Sequence, residues 1–121
     1  MKRRVLAAVD DIFFLSKIRG TAESLGVEFD SARTVEAAIE KSRANRPDVV
    51  IADLHSQRCD PFALARDLKD DPELRDVPLI GFFSHVQTEL RDRALASGFD
   101  RVLARSAFSS QLVNMLGELA G

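Results

Sequence analysis

Apolar residues along the chain alternate between two patterns. Short continuous runs give way to longer stretches whose apolar positions lie three or four apart. Val5–Val9 is a run without a polar residue, as a strand buried on both faces requires. Phe14, Ile18, Ala22 and Leu25 follow at helical spacing, and Gly26 supplies a C-terminal stop. Val27–Phe29 reads as a short second strand. Thr34 can cap a helix carrying Val35, Ala38 and Ile39 that ends before Pro47. Asp48–Ala52, rich in β-branched residues, is a third strand. Asp60-Pro61 is the clearest local signal: Asp accepts from free helical N–H groups, and Pro suits the first helical position. Phe62, Ala65 and Leu68 continue that helix. Val77–Phe83 is a fourth strand, followed by a helix through Val86, Leu90 and Ala94 that stops near Gly98. Arg101–Ala104 makes a fifth strand. Ser106 is placed to cap a last helix with Leu112, Val113, Leu116 and Leu119 on its inner side.

Five strands alternating with five helices predict an α/β fold, a doubly wound parallel sheet with helices on both faces. Right-handed crossovers then gather every strand C-terminus on one edge, where ligands bind in open sheets of this kind. The length of 121 residues sets a single domain, 1–121, because a second would have too little chain for its own core. Apolar residues at 45% argue against long disorder. Lys plus Arg is 17 and Asp plus Glu 19, so the net charge of −2 disfavours direct nucleic-acid binding by charge. The basic cluster is Lys2-Arg3-Arg4 at the N-terminus. The single cysteine, Cys59, excludes an intrachain disulfide and a zinc site built on several thiolates, and His55 and His85 do not make a metal motif by spacing. No apolar run approaches the roughly 20 residues of a membrane helix. Val5–Val9 is too short for a signal-peptide core, so the expected setting is cytoplasmic.

The chemistry sits at the predicted strand ends. The first ends in Asp10-Asp11, the third in Asp53, the fourth in Phe83-Ser84, and the fifth beside Arg105. With strands one and three adjacent, three carboxylates meet. Clustered acids repel one another unless a cation or a proton relieves them. Mg2+ suits oxygen ligands and keeps several waters. A carboxylate beside such a metal can act as a nucleophile toward phosphorus, and Arg105 adds a positive group for phosphate oxygens. Asp is also common in βα loops as a turn cap, a competing role for the same residues.

Along its whole length the chain resembles the receiver domain of two-component response regulators. VLAAVDD resembles the family's first strand with its acidic pair, and DVVIADL its third strand with the phosphoacceptor Asp. The intervals of 42 residues from Asp11 to Asp53, 30 to Phe83 and 22 to Arg105 resemble the family's spacing from acidic pair to acceptor, hydroxyl and lysine. The resemblance implies the flavodoxin-like strand order 2-1-3-4-5 and a signalling module, not an enzyme. It implies that Asp10, Asp11, Asp53 and the backbone carbonyl of His55 hold Mg2+. It further implies that Asp53 takes a phosphoryl group from a histidine kinase or phosphotransfer protein and that the domain signals to a downstream protein partner.

The match departs from the family at its switch. Phe83 stands where Thr or Ser would supply a hydroxyl, with Ser84 next in line. Arg105 replaces the lysine and Ser106 the proline after it; Val102 stands where an aromatic residue would move with the hydroxyl. A planar guanidinium is expected to pair with Asp53 or Asp11 in the resting protein and to weaken Mg2+ binding; it could equally contact phosphate as lysine would. Pro61 replaces a turn glycine, and Cys59 reads as a small, partly buried residue. Ile12 and Phe13 fall on the solvent side of the first helix near the pocket, either as a docking patch or folded over local loops. The charged surface around Glu89, Arg91, Arg93 and Arg101 would allow a homodimer by family analogy. The last helix runs to the end of the sequence, as in a stand-alone receiver or one severed from an output domain.

Other classes fit less well. A phosphatase of the haloacid dehalogenase type needs a second Asp two residues after the first, where this chain has Ile12. A flavodoxin-like electron carrier would set Asp10-Asp11 against the flavin phosphate. The alternative within the family is a pseudo-receiver, a protein-interaction module independent of phosphorylation.

Overall fold

The structure, a computed structural model, describes residues 3–84 and 87–120, and the side chains of 119 and 120 lie outside that description. Parallel strands pair in the order β2-β1-β3-β4-β5. They are β1 (Arg4–Ala8), β2 (Glu28–Ser31), β3 (Val49–Asp53), β4 (Leu79–Phe83) and β5 (Arg101–Ala104). The crossovers are α1 (Ile12–Ser24), α2 (Val35–Ala44), α3 (Pro61–Asp70) and α4 (Thr88–Ser97), and α5 (Arg105–Ala120) closes the fold. The expected architecture and strand order are both present. Val86 and His85, Lys2, and the inward placement of Leu119 lie outside the described residues.

Strand side chains alternate between two apolar layers. On one face Val5, Ala7, Val49, Ile51, Ile80 and Phe82 pack with α1 and α5 residues such as Ile18, Phe108 and Leu112. On the other, Leu6, Ala8, Val50, Ala52, Leu79 and Phe83 pack with α3 and its neighbours. Gly81 belongs to this second face. A Cβ there would come within 2.9 Å of the Phe99 ring, so its absence lets Phe99 lie against the sheet. The cap signals act as read: Thr34 Oγ1 accepts the Ala37 N–H, Asp60 accepts those of Phe62 and Ala63, and Gly98 ends α4 at φ +114°.

Four expectations need correction. β2 is shifted to Glu28–Ser31, because its ladder with β1 runs through Asp30 and Ser31; as an edge strand it tolerates polar residues. Ser106 does not precede the last helix: β5 passes directly into α5 at Arg105, which leaves Ser106 inside the first turn. Val113 faces solvent, 57% exposed, because the inner stripe of α5 is Phe108, Leu112 and Leu116 at a strict spacing of four. The fourth strand also starts two residues late. Pro78, which has no N–H, contributes only its carbonyl to Val50, while Val77 is buried just ahead of the strand.

Candidate functional site

The C-terminal rim of the sheet brings Asp10, Asp11, Asp53, Phe83 and Arg105 to one edge, since β1, β3, β4 and β5 are parallel and end there. Asp53 is the last residue of β3 and sits in register with Phe82 of β4. Each carboxylate is already engaged by the protein. Asp53 Oδ1 accepts the His55 N–H at 2.8 Å. Asp10 is turned toward the β3–α3 loop: its Oδ1 accepts the Ser56 hydroxyl at 2.8 Å and its Oδ2 the Gln57 N–H at 3.0 Å. Ser56 Oγ in turn accepts the Cys59 N–H, so one hydroxyl ties Asp10 to the loop that leads into α3.

Asp11 has two partners. Its Oδ1 caps α1 by accepting the N–H groups of Phe13 and Phe14. Its Oδ2 accepts from Arg105 Nη2 at 2.5 Å, the Asp11 alternative of the two expected pairings. The guanidinium also lies over the Phe14 ring, 4.4 Å from its centroid. Phe14, Phe82 and Phe108 form a contiguous aromatic group, with centroids 4.8 to 5.6 Å apart, beneath it. Arg105 is therefore positioned by a carboxylate at its tip and a ring under its plane.

These surroundings move the carboxyl groups in opposite directions. The Arg105 hydrogen bond, helped by the α1 N–H donors, holds Asp11 below the ordinary carboxylate value. Burial pushes Asp53 up; the His55 N–H and the Arg105 charge pull against it, while the Asp10 charge adds to the rise. Asp10 and Arg105 are thus near enough to Asp53 for their charges to act on it. Cys59 is buried, not partly buried, and burial with the Asp10 and Asp60 charges pushes its thiol up to about 11, so it stays a thiol at neutral pH.

The oxygen donors suit Mg2+ by chemistry. Among the described residues, no group of three or more His, Cys, Asp and Glu side chains is already drawn together as a metal centre would have them. Arg105, Ser56, Gln57 and the His55 N–H hold the oxygens that a cation would need.

Phe83 is only 3% exposed and belongs to the α3-side core, so no hydroxyl occupies its position, and Ser84 is exposed with no hydrogen bond among the described residues. Val102 packs against that same core. Ile12 and Phe13 are 70% and 88% exposed at the start of α1, so neither folds over a local loop. Sequence reasoning missed Ser56 and Gln57 as partners of Asp10, and Phe14 as the platform for Arg105. Only the polar HSQ segment after Asp53 hinted at the former; Phe14 read simply as core.

A family model for the response regulator receiver domain matches residues 5–117, and the chain belongs to that family, whose members act in two-component signalling. It is 28% identical over 113 residues to a gliding motility regulatory protein of Myxococcus xanthus, covering 93% of this chain but 14% of that protein. It is 24% identical over 105 residues to the polar-differentiation response regulator DivK of Brucella anthropi, covering 87% of this chain and 85% of DivK. Among solved structures, chemotaxis response regulator CheY4 of Vibrio cholerae superposes with a TM-score of 0.85 at 20% identity, covering 98% of this chain and 99% of that one. The receiver domain of sensor histidine kinase PA1611 from Pseudomonas aeruginosa, which has a magnesium ion coordinated in its active-site cleft, superposes at 0.84 and 20% identity, covering 100% of this chain and 99% of that one. No helix among the described residues is long and apolar enough to cross a membrane.

Proposed function

We propose that this receiver accepts a phosphoryl group on Asp53 and that Arg105 restrains the unphosphorylated site. The observation that carries the reading is the setting of Asp53, at the end of the central strand β3, half-buried, and under the influence of Asp10 and Arg105. An Asp53 carboxylate oxygen attacks phosphorus on a phosphohistidine of a histidine kinase or phosphotransfer protein. The P–N bond breaks as the P–O bond forms, and the imidazole nitrogen leaves with the bonding pair. The His55 N–H steadies the other edge of the carboxylate. Bound Mg2+, held by Asp10, Asp11, Asp53 and the His55 carbonyl, would neutralise charge developing on the phosphoryl oxygens.

Arg105 already holds Asp11 and would compete with that cation for it, so Mg2+ would bind weakly. Once Asp53 carries phosphate, the guanidinium has a second anion to choose, and its planar fork suits phosphoryl oxygens. Exchange of Asp11 for phosphate would withdraw Arg105 from the Phe14 ring and disturb the α1–α5 side of the core. The exposed Ile12 and Phe13 lie at the start of α1 and would offer a downstream protein partner an apolar contact. Membership in this family supports a cytoplasmic signalling role, and a homodimer across the α4–β5 surface rests on analogy.

The second reading, an interaction module independent of phosphate, is supported by the core position of Phe83 and Val102, which removes the usual switch parts. Incubation with Mg2+ and acetyl phosphate, followed by intact mass, separates the two. A labile phosphate adduct absent from Asp53→Asn supports acceptance at Asp53. No adduct at any donor concentration supports the interaction module.

A further inference from the structure

Cavities on the surface of this acidic chain differ sharply in their charge. In the one beside β2, Arg4 and Arg19 face Glu23, Glu28 and Asp30, and Arg4 is bonded to Glu28. Along the α2–α3 groove, Arg43 is surrounded by Asp67, Asp70, Asp71 and Glu73 on one side and by Glu36 and Glu40 on the other. Cations there are matched or outnumbered. A further cavity of about 400 Å3 is different. It lies between the start of α1, the β2–α2 loop and the β3–α3 loop, and Arg19, Arg33 and Arg58 line it against a single carboxylate, Asp10.

That carboxylate makes no ion pair with them among the described residues. Both Asp10 oxygens are turned into the β3–α3 loop, toward Ser56 and Gln57. Arg33 and Arg58 make no hydrogen bond or ion pair among the described residues, and Arg19 lies over the Phe29 ring at 5.1 Å. Three arginines from three separate segments thus line one hollow in a chain whose net charge is −2, Arg19 being shared with the cavity beside β2. Val9, Ile12 and Leu15 give the hollow an apolar wall, and Ser16 and Ser31 add hydroxyl groups.

We propose that this cavity binds a nucleoside diphosphate. Guanidinium forks match phosphate oxygens in pairs, and Arg33 and Arg58, which carry no ion pair among the described residues, leave theirs available. The apolar wall can take a flat base, the hydroxyls a sugar, and the volume falls within the usual range of small-ligand pockets. Asp10, which lines the hollow, follows β1 at the same edge of the sheet as Asp53. The binding claim itself does not depend on phosphorylation of Asp53.

Calorimetric titration of the full 121-residue chain with ADP, GDP, pyrophosphate and adenosine, without Mg2+, tests the assignment. ADP or GDP should bind with Kd below about 1 mM, a level that two or three charge-assisted contacts can supply. Binding should weaken by at least about tenfold in Arg33→Ala/Arg58→Ala, whose side chains are exposed and whose loss leaves the core intact. Adenosine should bind weakly or not at all. Absence of nucleotide binding, or equal binding by the double variant, would overturn the proposal. Pyrophosphate binding as tightly as ADP would overturn the nucleoside assignment.

Discussion

The two halves of the sheet's C-terminal rim have fared differently. On the β1–β3 half, Asp10, Asp11 and Asp53 remain at the strand ends, each held by nearby N–H or O–H donors. On the β4–β5 half, Phe83 and Val102 have gone into the core, and Arg105 reaches across to the acidic side. The aspartates are small polar groups at strand ends, and nearby donors secure them whatever the core contains. The switch parts sit where strand and core share a residue. An aromatic side chain at position 83 is worth more to packing than a hydroxyl, so core and switch compete for one site.

The largest test of this contrast is Phe83→Thr. Removing most of a buried ring should cost about 3–4 kcal/mol in urea denaturation, with some of that from a hydroxyl set in an apolar layer. A loss below about 1 kcal/mol would mean that Phe83 is not core in solution. On the other half, Ser56→Ala leaves the Cys59 N–H and one Asp10 oxygen without their partner, and should cost about 1–2 kcal/mol by the same measurement. A neutral result would show that Asp10 is not tied to the α3 loop.

The two displaced carboxyl groups give a smaller effect of opposite sign. Asp53 is held above its unfolded value, so its charge penalises the fold at neutral pH and the penalty fades as pH falls through the folded value. Asp53→Asn should raise the melting temperature at pH 7 by a few degrees, and the gain should shrink on acidification. Asp11 is held below its unfolded value, so its ion pair stabilises above the ordinary carboxylate range and that contribution is lost as pH falls through the lowered value. Asp11→Asn keeps a capping side chain and should lose under about 1 kcal/mol at pH 7, because Arg105 and Asp11 are 37% and 36% exposed and water screens the pair. That loss should vanish in acid. Equal signs for the two variants would contradict the contrast.

Much of this architecture is legible in the chain itself. Apolar runs gave five strands, and Thr34, Asp60-Pro61 and Gly98 marked helix ends, because a cap is a contact within a few residues. The acidic rim was legible for the same reason: strand ends follow from strand runs. Val113 and Ser106 misled because an apolar residue beside a stripe, or a serine beside a helix start, carries no information about its tertiary neighbours. The hold on Asp10, the Phe14 platform and the three-arginine hollow are assembled from segments far apart in sequence. The choice each carboxylate makes among competing donors is settled only in three dimensions.

The claim on which these readings depend is that Arg105 stands in for a metal cation at Asp11. Titration of the protein with Mg2+ at physiological salt, followed through the amide signal of His55, addresses it directly in the parent and in Arg105→Ala. The parent should bind more weakly than about 1 mM, and the variant about tenfold more tightly, a difference of about 1.4 kcal/mol. Submillimolar binding by the parent, or equal affinity in the two proteins, would contradict it.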